Sequence, residues 1–116
     1  MPVYALILFA AGALAGLTLA GVYVLRGRLA PWALSLLHAA LGAAGLLILI
    51  YTAVTAGLSG AALAALVIFV IAALGGFYLA SIHLRGQVAP RKLVLVHAGA
   101  AVIGFLTLLG AVAGIL

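Results

Sequence analysis

The sequence predicts an all-α integral membrane protein, an up-down four-helix transmembrane bundle built from a duplicated helical hairpin. Three observations carry that fold class. Hydrophobic residues make up 71% of the 116 and charged residues 4%, against about 25% charged in ordinary globular domains. Five charged side chains cannot cover the surface of a soluble domain of this size, so lipid must solvate most of the chain. Four apolar stretches, at roughly 3–25, 31–53, 61–83 and 92–114, each exceed the ~20 residues that cross a hydrocarbon core. The second pair of stretches repeats the first. The whole, 1–116, reads as a single membrane domain, with repeat 1 at 3–53 and repeat 2 at 61–114.

The first stretch ends in small residues (Ala15, Gly16, Ala20, Gly21), as a signal peptide does. It lacks a basic n-region and its apolar run is longer than a signal h-region, so it is expected to be retained. Lipid offers no partners to exposed backbone, which makes a helix the only open conformation. Gly12 and Gly16 form a GxxxG extended by Ala20, a stripe that reads as close helix packing within the bundle or between subunits.

Between the first and second stretches lies Leu25-Arg26-Gly27-Arg28-Leu29-Ala30-Pro31, and between the third and fourth Leu84-Arg85-Gly86-Gln87-Val88-Ala89-Pro90. Gly27 and Gly86 can leave a helix, and Pro31 and Pro90 suit the first turn of the next. The matched pairs are 59 residues apart: Arg26 with Arg85, Pro31 with Pro90, His38 with His97, and Gly45 with Gly104. In that register His83 has no counterpart, since it aligns with Val24.

All five cations (Arg26, Arg28, Arg85, Arg91, Lys92) flank these two connections, while the loop Thr52–Gly60 carries none. The positive-inside rule places the basic loops in the cytoplasm and both termini outside, in a plasma or inner membrane. Tyr4 and Tyr51 fit an outer aromatic belt, and Tyr23, Trp32 and Tyr78 an inner one. Orientation and contact with anionic head groups account for the net charge of +5, so the bilayer is the expected partner and nucleic acid is not.

Cysteine is absent, as are Asp and Glu. That excludes disulfides, thiolate and iron–sulfur sites, carboxylate acid–base catalysis and transport relying on a membrane carboxylate. Ser35, Ser59, Ser81 and the threonines read as helix or loop hydrogen-bonding residues. An electron-transfer or accessory role is therefore expected rather than a self-contained enzyme.

The duplicated histidines stand out. His38 and His97 each lie seven residues past a helix-starting proline, about 10 Å along the axis and inside the apolar region, where a polar group marks a site by default. On parallel, diagonal helices the two imidazoles would face each other at one depth. Four and seven residues further on stand Gly42 and Gly45 after His38, and Ala101 and Gly104 after His97. These positions share the histidine face and strip it of bulk, as a flat macrocycle would require. Haem iron takes two axial imidazoles, and Arg26 and Arg85 are the natural partners for its propionates. Without C-x-x-C-H, only a non-covalent b-type haem is open to the chain.

The histidine pattern resembles the transmembrane b-type cytochromes, including the b561-like group, in which bundle helices hold haem. In the large respiratory cytochromes b the second and fourth helices supply the ligands, positions that correspond to His38 and His97. The resemblance implies electron transfer, with a quinone or redox protein as partner, and the GxxxG stripe leaves a homo-oligomer or larger membrane complex open. Those families usually carry two ligands per helix and two haems; this chain has one per helix, hence one haem per bundle.

Other readings stay open at this point. The histidine pair also suits a metal-free contact between helices, or a quinone or other metal. The whole chain also suits a cofactor-free membrane anchor or accessory subunit, or a small transporter. His83 reads first as an interfacial histidine touching water or head groups, and otherwise as a propionate or quinone-head-group contact.

Overall fold

The computed structural model describes residues 1–116. Four helices follow one another: α1 (Pro2–Leu25), α2 (Trp32–Thr55), α3 (Gly60–Leu84) and α4 (Arg91–Val112). Each is long and apolar enough to cross a membrane, and they form a rod of 42 × 22 × 19 Å. The apolar stretches thus become helices whose ends fall within a few residues of the expected positions.

The connections owe their shape to glycine and proline. Gly27 and Gly86 take φ of +59° and +68°, left-handed values that glycine adopts without steric cost. Pro31 and Pro90 stand one step earlier than expected, at the N-cap rather than in the first turn. Their extended ψ of 137° and 134° still lets each carbonyl accept from the first turn, as in Leu34 N–H to Pro31 O at 3.1 Å.

The helices of each hairpin pack most closely on each other, α1 on α2 and α3 on α4. Between the hairpins, α1 meets α4, and α2 meets α3 over the thinnest seam. That leaves α1 and α3 on one diagonal and α2 and α4 on the other. One cluster joins Ala5 and Phe9, Leu49, Ala62, Ala65 and Phe69, and Leu108. A smaller one, of Ile82, Ala89 and Val94, lies at the end with the basic loops.

Between those ends the bundle is built in layers seven residues apart, with bulk on one diagonal and a bare position on the other. In the first layer Phe9 and Phe69 stack at 3.8 Å where α2 and α4 carry Gly45 and Gly104. In the second, His38 and His97 fill the space where α1 and α3 carry Gly16 and Gly76. In the third, Tyr23 and His83 stand where the other diagonal begins at Pro31 and Pro90. A seven-residue spacing keeps each set on one helix face.

This layering changes the repeat register. Along α2 and α4 the offset is 59, but along α1 and α3 it is 60, pairing Phe9 with Phe69, Gly16 with Gly76 and Tyr23 with His83. The extra residue of the first hairpin sits in the last turn of α1. There Arg28 N–H reaches back six residues to Val22 O, whereas Gln87 N–H reaches back five to Ile82 O. His83 therefore does have a counterpart, Tyr23 and not Val24. A single register carried through from the loops misses the one-residue difference.

Only 20 of the 116 residues are buried, and side chains such as Leu14, Leu25, Val54, Leu74, Phe77 and Val96 lie outermost. The bundle is apolar outside as well as inside.

Candidate functional site

His38 on α2 and His97 on α4 meet across the core, ring centroids 6.1 Å apart and planes at 88°. Each is anchored in the same way. His38 Nδ1 lies 2.9 Å from Gly12 O of α1, and His97 Nδ1 lies 2.9 Å from Ala72 O of α3. Gly12 and Ala72 are one more pair at the 60-residue offset.

A carbonyl only accepts, so both Nδ1 atoms must carry the proton and donate it. The neutral rings are then fixed in one tautomer, each with a bare lone pair on Nε2. Neither Nε2 has a partner within the chain. Two acceptors cannot hydrogen-bond each other, so the metal-free polar contacts between helices are the two Nδ1–carbonyl bonds, His38 to α1 and His97 to α3. No buried side-chain nitrogen lacks a partner, so both Nε2 atoms keep access to the surface.

The glycines divide into two groups. A Cβ built on Gly16 would lie 2.8 Å from His38 Cε1, and one on Gly76 3.1 Å from His97 Cε1. These two are the seats of the imidazoles. The GxxxG stripe does bring helices together, Gly12 lying against Leu41 and Gly42, but its second task is to hold His38.

Gly45 and Gly104, expected to clear room for a macrocycle, are filled instead. A Cβ on Gly45 would meet Phe9 at 2.9 Å, and one on Gly104 would meet Ile68 and Phe69 at 3.2 and 3.3 Å. The Phe9–Phe69 stack needs that space. Gly42 alone of the group has nothing within 4 Å of an added Cβ, while Ala101 is half-buried.

His83 departs furthest from expectation. It is 7% exposed, its ring enclosed by side chains of α1 and α2. Its ring stacks on Trp32 at 4.0 Å and 14°. Nδ1 takes Tyr23 Oη at 3.0 Å and Ser35 Oγ at 3.2 Å. Tyr23 and Trp32, assigned to an aromatic belt, are thus the walls of this cage. Three helices converge on one imidazole. Arg26 and Arg85 are exposed at this end, one turn or less beyond Tyr23 and His83 along their helices.

Gly12, Gly16, Ala72, Gly76, Tyr23, Trp32 and Ser35 were not legible as site residues. The signal that could have found most of them is the alternation of bulky and bare positions every seven residues, read in both registers. Comparison of the chain with protein-family models, with curated proteins and with solved structures found no match.

Proposed function

We propose that the protein is an integral membrane electron-transfer protein, or the haem-bearing subunit of a redox complex, with one b-type haem held between His38 and His97. The observation that carries the reading is the pair of imidazoles with Nδ1 tied to backbone carbonyls and Nε2 lone pairs free. A metal-bound histidine is held by this kind of outer hydrogen bond, which sets its tautomer and its basicity.

The two imidazoles that would hold the metal face each other across the core, ring centroids 6.1 Å apart. The donor set also suits haem better than zinc, which generally wants four ligands where two histidines stand.

A bound haem would supply reversible one-electron chemistry. The chain's own residues do the rest. His38 and His97 would hold the metal, and Gly16 and Gly76 let the imidazoles lie deep in their hairpin grooves. Gly42 leaves open space one turn along. Arg26 and Arg85 would offer cations to the propionates, and the Phe9–Phe69 stack closes the core toward the termini. The thin α2–α3 seam is the natural route for a macrocycle to enter.

Four spans, an apolar exterior and cations confined to two loops support a bilayer location, with the helices alternating in direction, the basic loops cytoplasmic and the termini outside. A quinone or a redox protein would exchange the electron.

The test is the visible spectrum of protein expressed with ample haem. A sharp reduced α-band and a low-spin Soret peak are expected, and both should vanish in His38→Ala and in His97→Ala. Absence of chromophore in the wild type, or full binding in both variants, overturns the reading. A second reading, a cofactor-free anchoring subunit, is favoured by the Phe9–Phe69 stack filling the space at Gly45 and Gly104. Purification with a fixed partner and no chromophore would establish it.

A further inference from the structure

The cage around His83 has no task in the reading above, and it stands where two helices begin with their backbone unpaired. The first N–H groups of a helix have no partner inside it. α3 starts at the end away from the basic loops, and there the Ser59 hydroxyl accepts from Ala62 N–H at 3.2 Å. α2 and α4 start at the basic-loop end, behind Pro31 and Pro90, with no capping side chain. The N–H groups of Trp32 and Ala33, and of Arg91 and Lys92, find no acceptor in the chain.

His83 adds a side-chain donor at the same place. Both of its hydrogen bonds fall on Nδ1, from the hydroxyls of Tyr23 and Ser35. Hydroxyls can donate, so Nδ1 of the neutral ring accepts from them and Nε2 carries the proton. The residue is only 7% exposed, and Nε2 has no partner in the chain. No buried side-chain nitrogen lacks one, so this N–H reaches the surface. The ring lies on Trp32 at 4.0 Å, which ties the donor to the open start of α2.

Charge points the same way. Arg26, Arg28, Arg85, Arg91 and Lys92 flank the two basic connections, and the chain holds no Asp or Glu. Arg91 and Lys92 occupy the first turn of α4, where the positive end of the helix dipole disfavours cations. Donors and cations thus gather at one end of a chain that has no acidic side chain to offer them. Water satisfies the donors but leaves the charge uncompensated. A phosphate does both, at a helix start with arginines beside it.

The surroundings select a lipid as the source of that phosphate. The cage joins α2 to α3, the neighbouring helices with the thinnest seam, and the exterior on either side is apolar. A phosphate held at this end of the seam can lay its acyl chains along that exterior.

Resting on the bilayer location proposed above and not on the haem, we infer that the His83 cage and the start of α2 bind the phosphate of an anionic phospholipid. His83 Nε2–H and the Trp32 and Ala33 N–H groups donate to its oxygens, and Arg26, Arg28 and Arg85 supply the opposite charge. Tyr23 and Ser35 are positioning residues, since they keep Nδ1 an acceptor and so keep the proton on Nε2.

Trp32 is the only tryptophan of the chain, so its emission reports on the site. The full chain in maltoside micelles is titrated with short-chain phosphatidylglycerol, with phosphatidylcholine of the same chain length, and with inorganic phosphate. Phosphatidylglycerol should saturate the signal at the lowest concentration of the three. His83→Phe keeps a ring against Trp32 and leaves the formal charge at +5, so diffuse attraction would leave the midpoint unchanged. Loss of a hydrogen bond to a charged group should raise it by at least about tenfold.

Nitrogen-15 NMR of the wild type gives a readout that needs no variant, and it decides the matter if His83→Phe does not fold. The His83 Nε2–H should shift with phosphatidylglycerol, while the Nδ1–H of His38 and His97 stay in place. An unmoved Nε2–H or an unchanged His83→Phe midpoint overturns the proposal. So does phosphatidylcholine binding as tightly as phosphatidylglycerol, or inorganic phosphate doing so, which would give the site to the free anion. Each of these leaves the bilayer location standing, whereas a chain recovered from the soluble fraction without detergent overturns both.

Discussion

The two halves of the bundle follow one packing rule and carry opposite chemistry. In the half nearer the termini, the bulk that faces a bare glycine is phenyl: Phe9 over Gly45 and Phe69 against Gly104. In the half nearer the basic loops it is imidazole: His38 over Gly16 and His97 against Gly76. The first half buries no ionisable side chain, and its one buried hydroxyl, Thr52, is satisfied within its own helix by Ile48 O at 2.8 Å. The second concentrates three imidazoles, a phenol and a hydroxyl on the core side. Packing is therefore symmetric along the rod while polarity is not. One half seals the core and the other gives it chemistry.

The comparison breaks most visibly at the aromatic stack. In the bilayer location proposed above, Phe69→Ala would lose little transfer energy, because lipid is as apolar as the core. What remains is the cavity, about 24 cal/mol per Å³ over roughly 100 Å³, or about 2 kcal/mol. Gly45→Ala strikes the same layer from the other diagonal, forcing the Phe9 ring away from a 2.9 Å contact, and overpacking of this kind costs about 1–3 kcal/mol. Both should lower the unfolding midpoint in mixed detergent micelles while the Nδ1–carbonyl bonds of the next layer persist. If Phe69→Ala is neutral, the stack does not hold this half together.

How much of this was legible in the sequence follows from the same contrast. The helices could be read because bilayer thickness and backbone satisfaction leave few choices, and His38 and His97 because a duplicated polar residue in an apolar run is conspicuous. Glycine is not self-explanatory. Gly45 and Gly104 lie on the histidine face, and the sequence gives no sign that two phenylalanines from the other diagonal fill them. His83 and Tyr23 were separated by a register that slips by one residue in the last turn of α1. That slip is visible only where Arg28 and Gln87 close their turns over different lengths.

The histidine half is probed by Gly16→Ala. Its new Cβ would stand 2.8 Å from His38 Cε1 and 3.1 Å from Nδ1, so the imidazole must turn and its bond to Gly12 O must lengthen. Disturbing the outer hydrogen bond of a metal ligand typically weakens binding by about 10–100-fold. Haem affinity measured by titration should fall by at least about tenfold, with a smaller fall for Gly76→Ala, where the closest approach is 3.1 Å. Equal affinity in Gly16→Ala and wild type would mean that the GxxxG stripe serves packing alone.

The smallest effect on stability is expected between the two halves, at Gly42, and it is the most informative about what the space there is for. Nothing lies within 4 Å of a Cβ added at this position, and alanine favours helix over glycine by about 0.8–1.0 kcal/mol in a soluble helix interior. The haem-free Gly42→Ala bundle should therefore unfold at the wild-type midpoint or slightly above it. If the open space at Gly42 belongs to the proposed haem cleft, the added methyl would intrude on it. Unchanged stability with reduced haem occupancy would identify the gap at Gly42 as part of a binding cleft. Unchanged stability with unchanged occupancy would assign that gap to lipid, and would leave the imidazole pair as the whole of the site.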